Sequence, residues 1–153
     1  MSLSQAEKHA LYQSLVKQIA ALIDPNASEL SNYANVCAAI QTAFKHWWCG
    51  FYFVNGERLT LGPFQGPVAC TSIGFNKGVC GTAWAKAHSI IVPNVHEFEG
   101  HIACSSESNS EIVVPVFKQG TIMAVLDIDS IYFNTFDEVD ALYLEQIVAM
   151  INV

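Results

Sequence analysis

The stretch WWCGFYFVNGERLTLGP, residues 47–63, decides the fold of this chain. Its first half, residues 47–54, is rich in aromatic side chains, which is typical of a β-strand. Asn55-Gly56 is a strong signal for a tight hairpin turn, and residues 58–63 predict the returning strand. The stretch therefore predicts an antiparallel hairpin within a sheet.

Apolar residues at helical spacing lie on both sides of this hairpin. Upstream, they recur every three or four residues over Gln5 to Ile23. A second helix is predicted to begin near Asn26, since Glu29 follows three places later in the manner of a capping box. Downstream, the same spacing returns from Asp137 and predicts a closing helix.

The middle of the chain predicts four more strands and one short helix. The strands cover 68–73, 89–93, 112–117 and 122–128, and the helix covers 82–87. Two helices, an antiparallel sheet of five to six strands and a closing helix form an α+β pattern. We expect the terminal helices to cover one face of the sheet. The polar segment 94–110 can then fold over the other face, and we expect a ligand pocket beneath it.

Length and charge limit the classes of function. The 153 residues predict a single domain, 1–153, with a sizeable core. Seven basic against 14 acidic residues, a net charge of −7, argue against binding to nucleic acid or to an anionic membrane. We see no secretory signal and no apolar run of membrane-spanning length, so we expect a cytoplasmic protein.

The five cysteines cannot all be paired within one chain, because their number is odd. Cys37 on a helix and Cys49 in a strand are predicted to be core residues. Cys70, Cys80 and Cys104 lie near turns or on the polar segment and could face the pocket, although a core position is equally open for Cys80. An oxidised cysteine needs a second thiol to rescue it, so two thiols facing one pocket would suit redox chemistry.

A metal site is the alternative use of these cysteines. His96, His101 and Cys104 have the spacing H-x4-H-x2-C, and Cys80 or Cys70 could supply a fourth ligand. Structural zinc sites usually contain paired motifs such as C-x2-C, which this sequence lacks. We therefore favour redox chemistry and predict no metal ligands.

Three acidic residues are predicted to lie together. Asp127 and Asp129 are two residues apart on one predicted strand, so their side chains point to the same face. Glu111 begins the partner strand. Burying carboxylates is costly unless they meet a cation or hydrogen-bond donors. The group would therefore suit an ammonium ligand or an acid with a raised pKa. A turn cap at Asp129 and a solvated Glu111 remain the simpler alternatives for each residue alone.

Seven short motifs then occur in order along the chain. They are GFY at 50–52, LGPFQG at 61–66, AC at 69–70, GVCGTA at 78–83, HIAC at 101–104, SNSEIVVP at 108–115 and VLDIDS at 125–130. Together they resemble the free methionine-(R)-sulfoxide reductases, a family of stand-alone GAF domains. The resemblance runs from about Trp48 to the end of the sheet and implies a GAF-like fold.

The resemblance also implies a substrate and a reaction cycle. Free L-methionine-(R)-sulfoxide would bind in the pocket, and no bound cofactor is expected. Cys104 matches the catalytic cysteine, whose thiolate attacks the sulfoxide sulfur and becomes a sulfenic acid. Cys70 matches the main resolving cysteine and Cys80 the third family cysteine. Thioredoxin would reduce the resulting disulfide.

The resemblance gives roles to five further residues. Glu111, Asp127 and Asp129 match the acids that hold the ammonium group and help to protonate the sulfoxide oxygen. Trp48 and Tyr52, which share a strand face and by pattern alone would be core residues, match the wall around the methyl group. A non-catalytic GAF sensor is the alternative function. The oligomeric state stays open, with a homodimer among the options.

Overall fold

The hairpin over residues 47–63 is present in a computed structural model, which describes residues 3–152. Four helices and six strands follow one another as α1 Gln5–Leu22, α2 Glu29–Phe44, β1 Trp48–Asn55, β2 Arg58–Gln65, β3 Ser72–Gly74, α3 Gly78–Lys86, β4 Ile90–Val92, β5 Ser110–Lys118, β6 Thr121–Ser130 and α4 Glu138–Ile151. One 3-10 turn, Val95–Glu97, lies in the segment between β4 and β5.

All six strands form one antiparallel sheet in the order β3-β2-β1-β6-β5-β4. Two hairpins with two-residue turns set its register. Gly56 opens the β1–β2 turn with a φ of 63°, and Gln119 and Gly120 form the β5–β6 turn with φ of 52° and 79°. Such positive φ angles twist the turn in the same sense as the strands. The sheet confirms the predicted α+β class.

Each face of the sheet carries its own hydrophobic core. Helices α1, α2 and α4 pack on one face, where Cys37 and Cys49 are buried as predicted. The other face is covered by α3 and by the segment between β4 and β5. The predicted arrangement, with terminal helices on one face and a loop on the other, is therefore confirmed, and α2 joins the terminal helices.

The strand predicted over 68–73 is wrong in its bounds. Residues 66–71 form a loop, and β3 covers only Ser72–Gly74. Gly66 has a φ of 137° and Pro67 has no amide hydrogen to donate, so the chain leaves the sheet at these two residues. As a result, Cys70 lies on a loop before β3 rather than within a strand.

Two helix starts also differ from the prediction. Helix α2 is capped by Ser28, whose hydroxyl accepts from the Ser31 amide, and not by Asn26. Helix α3 begins at Gly78 rather than at Thr82, so Cys80 lies in its first turn. The glycine at position 81 interrupts the helical pattern of the sequence, yet a side chain there would collide with the carbonyl oxygen of Gly74. In the described part of the chain, no helix has both the length and the apolar character needed to cross a membrane.

A buried ion pair joins the two ends of the chain. The Lys8 ammonium on α1 contacts the Asp140 carboxylate on α4 and donates to the Thr135 carbonyl over 2.8 Å. Asp140 also accepts from the Tyr12 hydroxyl over 2.7 Å and from the Asp137 amide over 2.9 Å. Lys8 is 5% and Asp140 1% exposed, so water stabilises neither charge and each depends on the other.

Replacing Lys8 should therefore destabilise the fold strongly. We expect Lys8→Met to lower the free energy of unfolding by about 3 to 5 kcal/mol, because it leaves the Asp140 charge buried and unpaired. Urea denaturation measures this loss. Lys17→Met changes an exposed lysine on the same helix and should shift stability by only about 0.5 kcal/mol. Equal losses in the two variants would contradict the importance of the pair.

Candidate active site

A pocket lies on the sheet face opposite the three long helices. Its floor is formed by β1, β5 and β6, and its sides by α3, the 66–71 loop and the segment between β4 and β5. The space between these walls, counted out to its mouth, is about 530 Å³.

Strand register places the acids beside the aromatic residues. Asp129 pairs with Trp48 on one side and with Glu111 on the other. Two residues earlier on β6, Asp127 pairs with Gly50 on β1 and with Val113 on β5. Since directly paired residues point to the same face, these side chains form two adjacent rows on the pocket floor.

The three carboxyl groups have shifted proton affinities. Burial raises the pKa of Glu111 well above its ordinary value, and the charges of Asp127 and Asp129 raise it further. Burial and the charge of Asp127 likewise raise the pKa of Asp129. Burial raises the pKa of Asp127, although hydrogen bonding to its neighbours opposes the shift. The group therefore favours retaining protons or binding a cation.

Asp127 has an unsatisfied oxygen. The residue is only 6% exposed. Its Oδ1 has no hydrogen-bond partner among the described residues. A buried carboxylate oxygen without a donor costs free energy. A ligand that donates protons or carries positive charge would remove this cost.

Aromatic rings close one side of the pocket. The Trp48 ring stacks against Phe64, with ring centres 5.3 Å apart, and against Tyr52 at 5.9 Å. Two hydrogen bonds orient these rings, from Trp48 Nε1 to the Pro67 carbonyl over 3.0 Å and from the Tyr52 hydroxyl to the Cys70 carbonyl over 2.9 Å. A Cβ on Gly50 would lie 2.5 Å from the Trp48 ring, so only glycine leaves room for this arrangement.

Two thiols of the pocket are joined. Cys70 and Cys104 form a disulfide, with Cα atoms 5.4 Å apart and a sequence separation of 34. This is the pair that the family resemblance implied. Cys80 is a free thiol on α3, and it is 3% exposed. Burial raises the pKa of Cys80 well above its ordinary value, and the charges of Asp127 and Glu111 raise it further.

The structure brings all eight predicted site residues to one place. Seven of them line the pocket: Trp48, Tyr52, Cys80, Cys104, Glu111, Asp127 and Asp129. Cys70 is attached through the disulfide and follows the lining residue Ala69. The simpler alternatives for Asp129 and Glu111, a turn cap and a solvated acid, do not apply, because both side chains lie on the pocket floor. Their chemical roles remain predictions.

Sequence reasoning missed several pocket residues. Lys77 and Gly78 contribute from the start of α3, and the Ser105 hydroxyl accepts from Trp47 Nε1 over 3.1 Å. His101, which the sequence offered only as a zinc ligand, also lines the pocket, and its Nε2 lies 3.9 Å from Glu111 Oε2. A charged residue beside glycines just before a helix is a general signal for a binding turn, and it could have drawn attention to Lys77.

The alternative zinc set of His96, His101, Cys104 and a further cysteine is not assembled. The Cys104 sulfur is bonded to that of Cys70. The His96 ring is exposed and pairs with the Asn109 side chain over 2.9 Å, outside the pocket. The short spacing of these residues in sequence therefore does not bring them together at one metal site.

The fold and pocket define the class of this protein. The model of the GAF domain family matches residues 18–153, which include every strand and the whole pocket. GAF domain-containing protein A of Dictyostelium discoideum is 48% identical over 153 residues, covering 99% of this chain and 97% of that protein.

Two further relatives narrow the class. The free methionine-R-sulfoxide reductase of Escherichia coli is 41% identical over 145 residues, covering 94% of this chain and 88% of that protein. The X-ray structure of the Neisseria meningitidis free methionine-R-sulfoxide reductase, in complex with its substrate, superposes with a TM-score of 0.93 at 45% identity, covering 99% of this chain and 91% of that one. The chain belongs to the GAF domain family and, within it, to the free methionine-R-sulfoxide reductases.

The raised pKa of Glu111 predicts how stability changes with pH. The folded protein holds a proton on this carboxyl group that the unfolded chain releases, so stability falls as the pH rises from the unfolded pKa to the folded pKa. Glu111→Gln removes this loss. Relative to the unchanged protein, we expect the variant to gain stability steadily as the pH rises from about 5 upward, above the ordinary pKa of a glutamate.

Thermal unfolding of the oxidised protein across this pH range measures the effect. Glu107→Gln changes an exposed acid on the neighbouring loop and serves as the control. A stability difference for Glu111→Gln that does not depend on pH would show that the carboxyl group has no raised pKa in the folded protein.

Proposed function

We propose that this protein reduces free methionine-R-sulfoxide to methionine, with Cys104 as the attacking thiol and Cys70 as the resolving thiol. The observation that carries the proposal is the meeting of a disulfide-paired thiol and three acids in one pocket, of which Glu111 and Asp127 are buried and Asp129 is half-buried. The E. coli and Neisseria relatives carry the name of this activity, which supports it further.

The pocket has a partner for each part of this substrate. The ammonium group would neutralise the acids, including the unsatisfied Oδ1 of Asp127. The methyl group would lie against the rings of Trp48 and Tyr52. Lys77 adds a positive charge to the wall, which suits the carboxylate of a free amino acid.

The first chemical step needs both a thiolate and an acid. In the reduced protein, the Cys104 thiolate attacks the sulfoxide sulfur while a carboxyl group gives a proton to the sulfoxide oxygen. The protonated oxygen then passes from the substrate sulfur to the Cys104 sulfur, so that its bond to the substrate sulfur breaks. The bond between the two sulfur atoms breaks as well, methionine leaves, and Cys104 carries the oxygen as a sulfenic acid. Burial raises the pKa of Glu111, so this carboxyl group holds its proton to a higher pH than an ordinary acid, which favours this step.

The second step closes the disulfide seen in the structure. The Cys70 thiolate attacks the Cys104 sulfur, and the oxygen leaves as water after protonation. In total, the substrate sulfur gains two electrons and the two thiols lose them. An external dithiol must then reduce the disulfide, and thioredoxin in the cytoplasm is the proposed reductant. Cys80 could substitute for Cys70, since it lines the same pocket.

Cysteine variants test the two steps separately. Cys104→Ser should abolish methionine release even in a single turnover, because the attacking thiol is lost. Cys70→Ser should keep the first turnover and slow recycling by about 10²-fold or more. Methionine release by the pre-reduced protein and NADPH consumption with thioredoxin and its reductase measure the two quantities.

Cys37→Ser is the matched control for these variants, since Cys37 is a free thiol buried on the opposite face of the sheet. It should retain both steps. Loss of the first turnover in Cys70→Ser to the same extent as in Cys104→Ser would overturn the assigned roles. Absence of turnover with the R epimer in the unchanged protein would defeat the proposed function itself.

The three pocket acids predict which substrates the protein selects. We expect N-acetyl methionine-R-sulfoxide to be a poor substrate, with kcat/KM lowered by about 10²-fold or more, because acetylation removes the charge that neutralises the acids. Competition between the acetylated and free compounds measures the ratio. Equal kcat/KM values would show that the acids do not hold the ammonium group.

A non-catalytic sensor is the alternative function. A sensor pocket needs polar and apolar partners for its ligand, but it does not need a disulfide between two of its walls. The Cys70–Cys104 bond therefore favours the enzyme.

A further inference from the structure

Cys80 is a buried pocket thiol whose position the proposed reaction does not require. Its sulfur and one carboxylate oxygen each from Glu111 and Asp127 all lie within 4.8 Å of one another. We infer that these three side chains form a binding site for a thiophilic divalent cation, with Zn²⁺ as the representative ion. This inference goes beyond the proposed function, and its main test does not depend on it.

Burial and unmet hydrogen bonding point to a ligand at this place. The three residues are 3%, 5% and 6% exposed in the order Cys80, Glu111 and Asp127. Asp127 Oδ1 lacks a partner among the described residues, although it lies in the interior of the pocket. A cation bound by the Asp127 carboxylate would neutralise this group, including the oxygen that has no donor.

The chemistry of the donors selects the kind of cation. One thiolate and two carboxylates form a mixed sulfur and oxygen set, which suits Zn²⁺ and not Mg²⁺ or Ca²⁺, because the latter prefer oxygen alone. Three protein ligands leave a fourth position open. Ligands of a tetrahedral zinc ion lie roughly 3.5 Å apart, so contraction of about 1 Å by side-chain rotation completes the site.

The charges also favour such an ion. Glu111, Asp127 and Asp129 place three carboxyl groups on one patch of the pocket floor, where burial makes a negative charge costly. A divalent cation neutralises two negative charges at once. It would occupy the position that we assign to the substrate ammonium group, so ion and substrate would exclude one another. The ion would thus act as a competitive inhibitor and not as a cofactor of the reaction.

The oxidised protein gives the sharpest test, because the disulfide removes Cys70 and Cys104 as ligands. Zn²⁺ alone is titrated into it by calorimetry, and Co²⁺ alone is titrated while thiolate-to-metal absorption is recorded. We expect one ion per chain in both titrations. Cys80→Ser should abolish the thiolate absorption and weaken Zn²⁺ binding by at least about tenfold, and Asp127→Asn should weaken Zn²⁺ binding similarly.

Cys37→Ser is the matched thiol control, since Ser can keep the hydrogen bond from this position to the Pro63 carbonyl. It should bind both ions unchanged, and circular dichroism checks that each variant is folded. Failure of the oxidised protein to bind Zn²⁺ would overturn the inference, as would thiolate absorption that persists in Cys80→Ser. These outcomes are independent of turnover, so they separate this inference from the proposed function.

Discussion

The placement of three acids side by side is the constraint on which the rest of the pocket depends; Glu111 and Asp127 are buried and Asp129 is half-buried. Acids in water would ionise and repel one another, and in a protein interior their charges are costly. The fold tolerates them because two strands hold their backbones in fixed register, with core packing on both faces of the sheet. Stability is thus given up at the site and supplied elsewhere, by the helical layer and the ion pair between Lys8 and Asp140.

The same constraint gives the pocket its chemical character. A carboxyl group whose pKa is raised by burial keeps its proton to a higher pH than an ordinary surface acid and can donate it to an oxygen. Its neighbours lie close enough to share a cation. The disulfide between Cys70 and Cys104 connects the two loops that flank these three acids, so the disulfide and the acids lie at one pocket. The same acids would admit a metal ion, because an ammonium group and a divalent cation satisfy the same unmet charge.

Periodicity predicted the parts of the fold that depend on local sequence. The alternation of Asp127 and Asp129 was enough to place both on one face, and Asn55-Gly56 was enough to place a hairpin. The parts that depend on distant contacts could not be predicted. The start of α3 was placed four residues late, since nothing local shows that Gly81 must approach the carbonyl of Gly74. The pairing of Cys70 with Cys104 came from the family resemblance, because sequence spacing carries no information on distance across 34 residues.

The two-residue turn at Gln119-Gly120 limits which insertions and deletions the sequence can accept during evolution. It fixes the register in which Glu111 faces Asp129, eight residues from the turn on one strand and nine on the other. Because side chains alternate between faces, a slip of one residue would carry Glu111 into the helical core and leave its partners behind. Insertions and deletions at this distant, exposed turn are therefore as restricted as substitutions within the pocket, whereas the segment between β4 and β5 can vary in length without moving the acids.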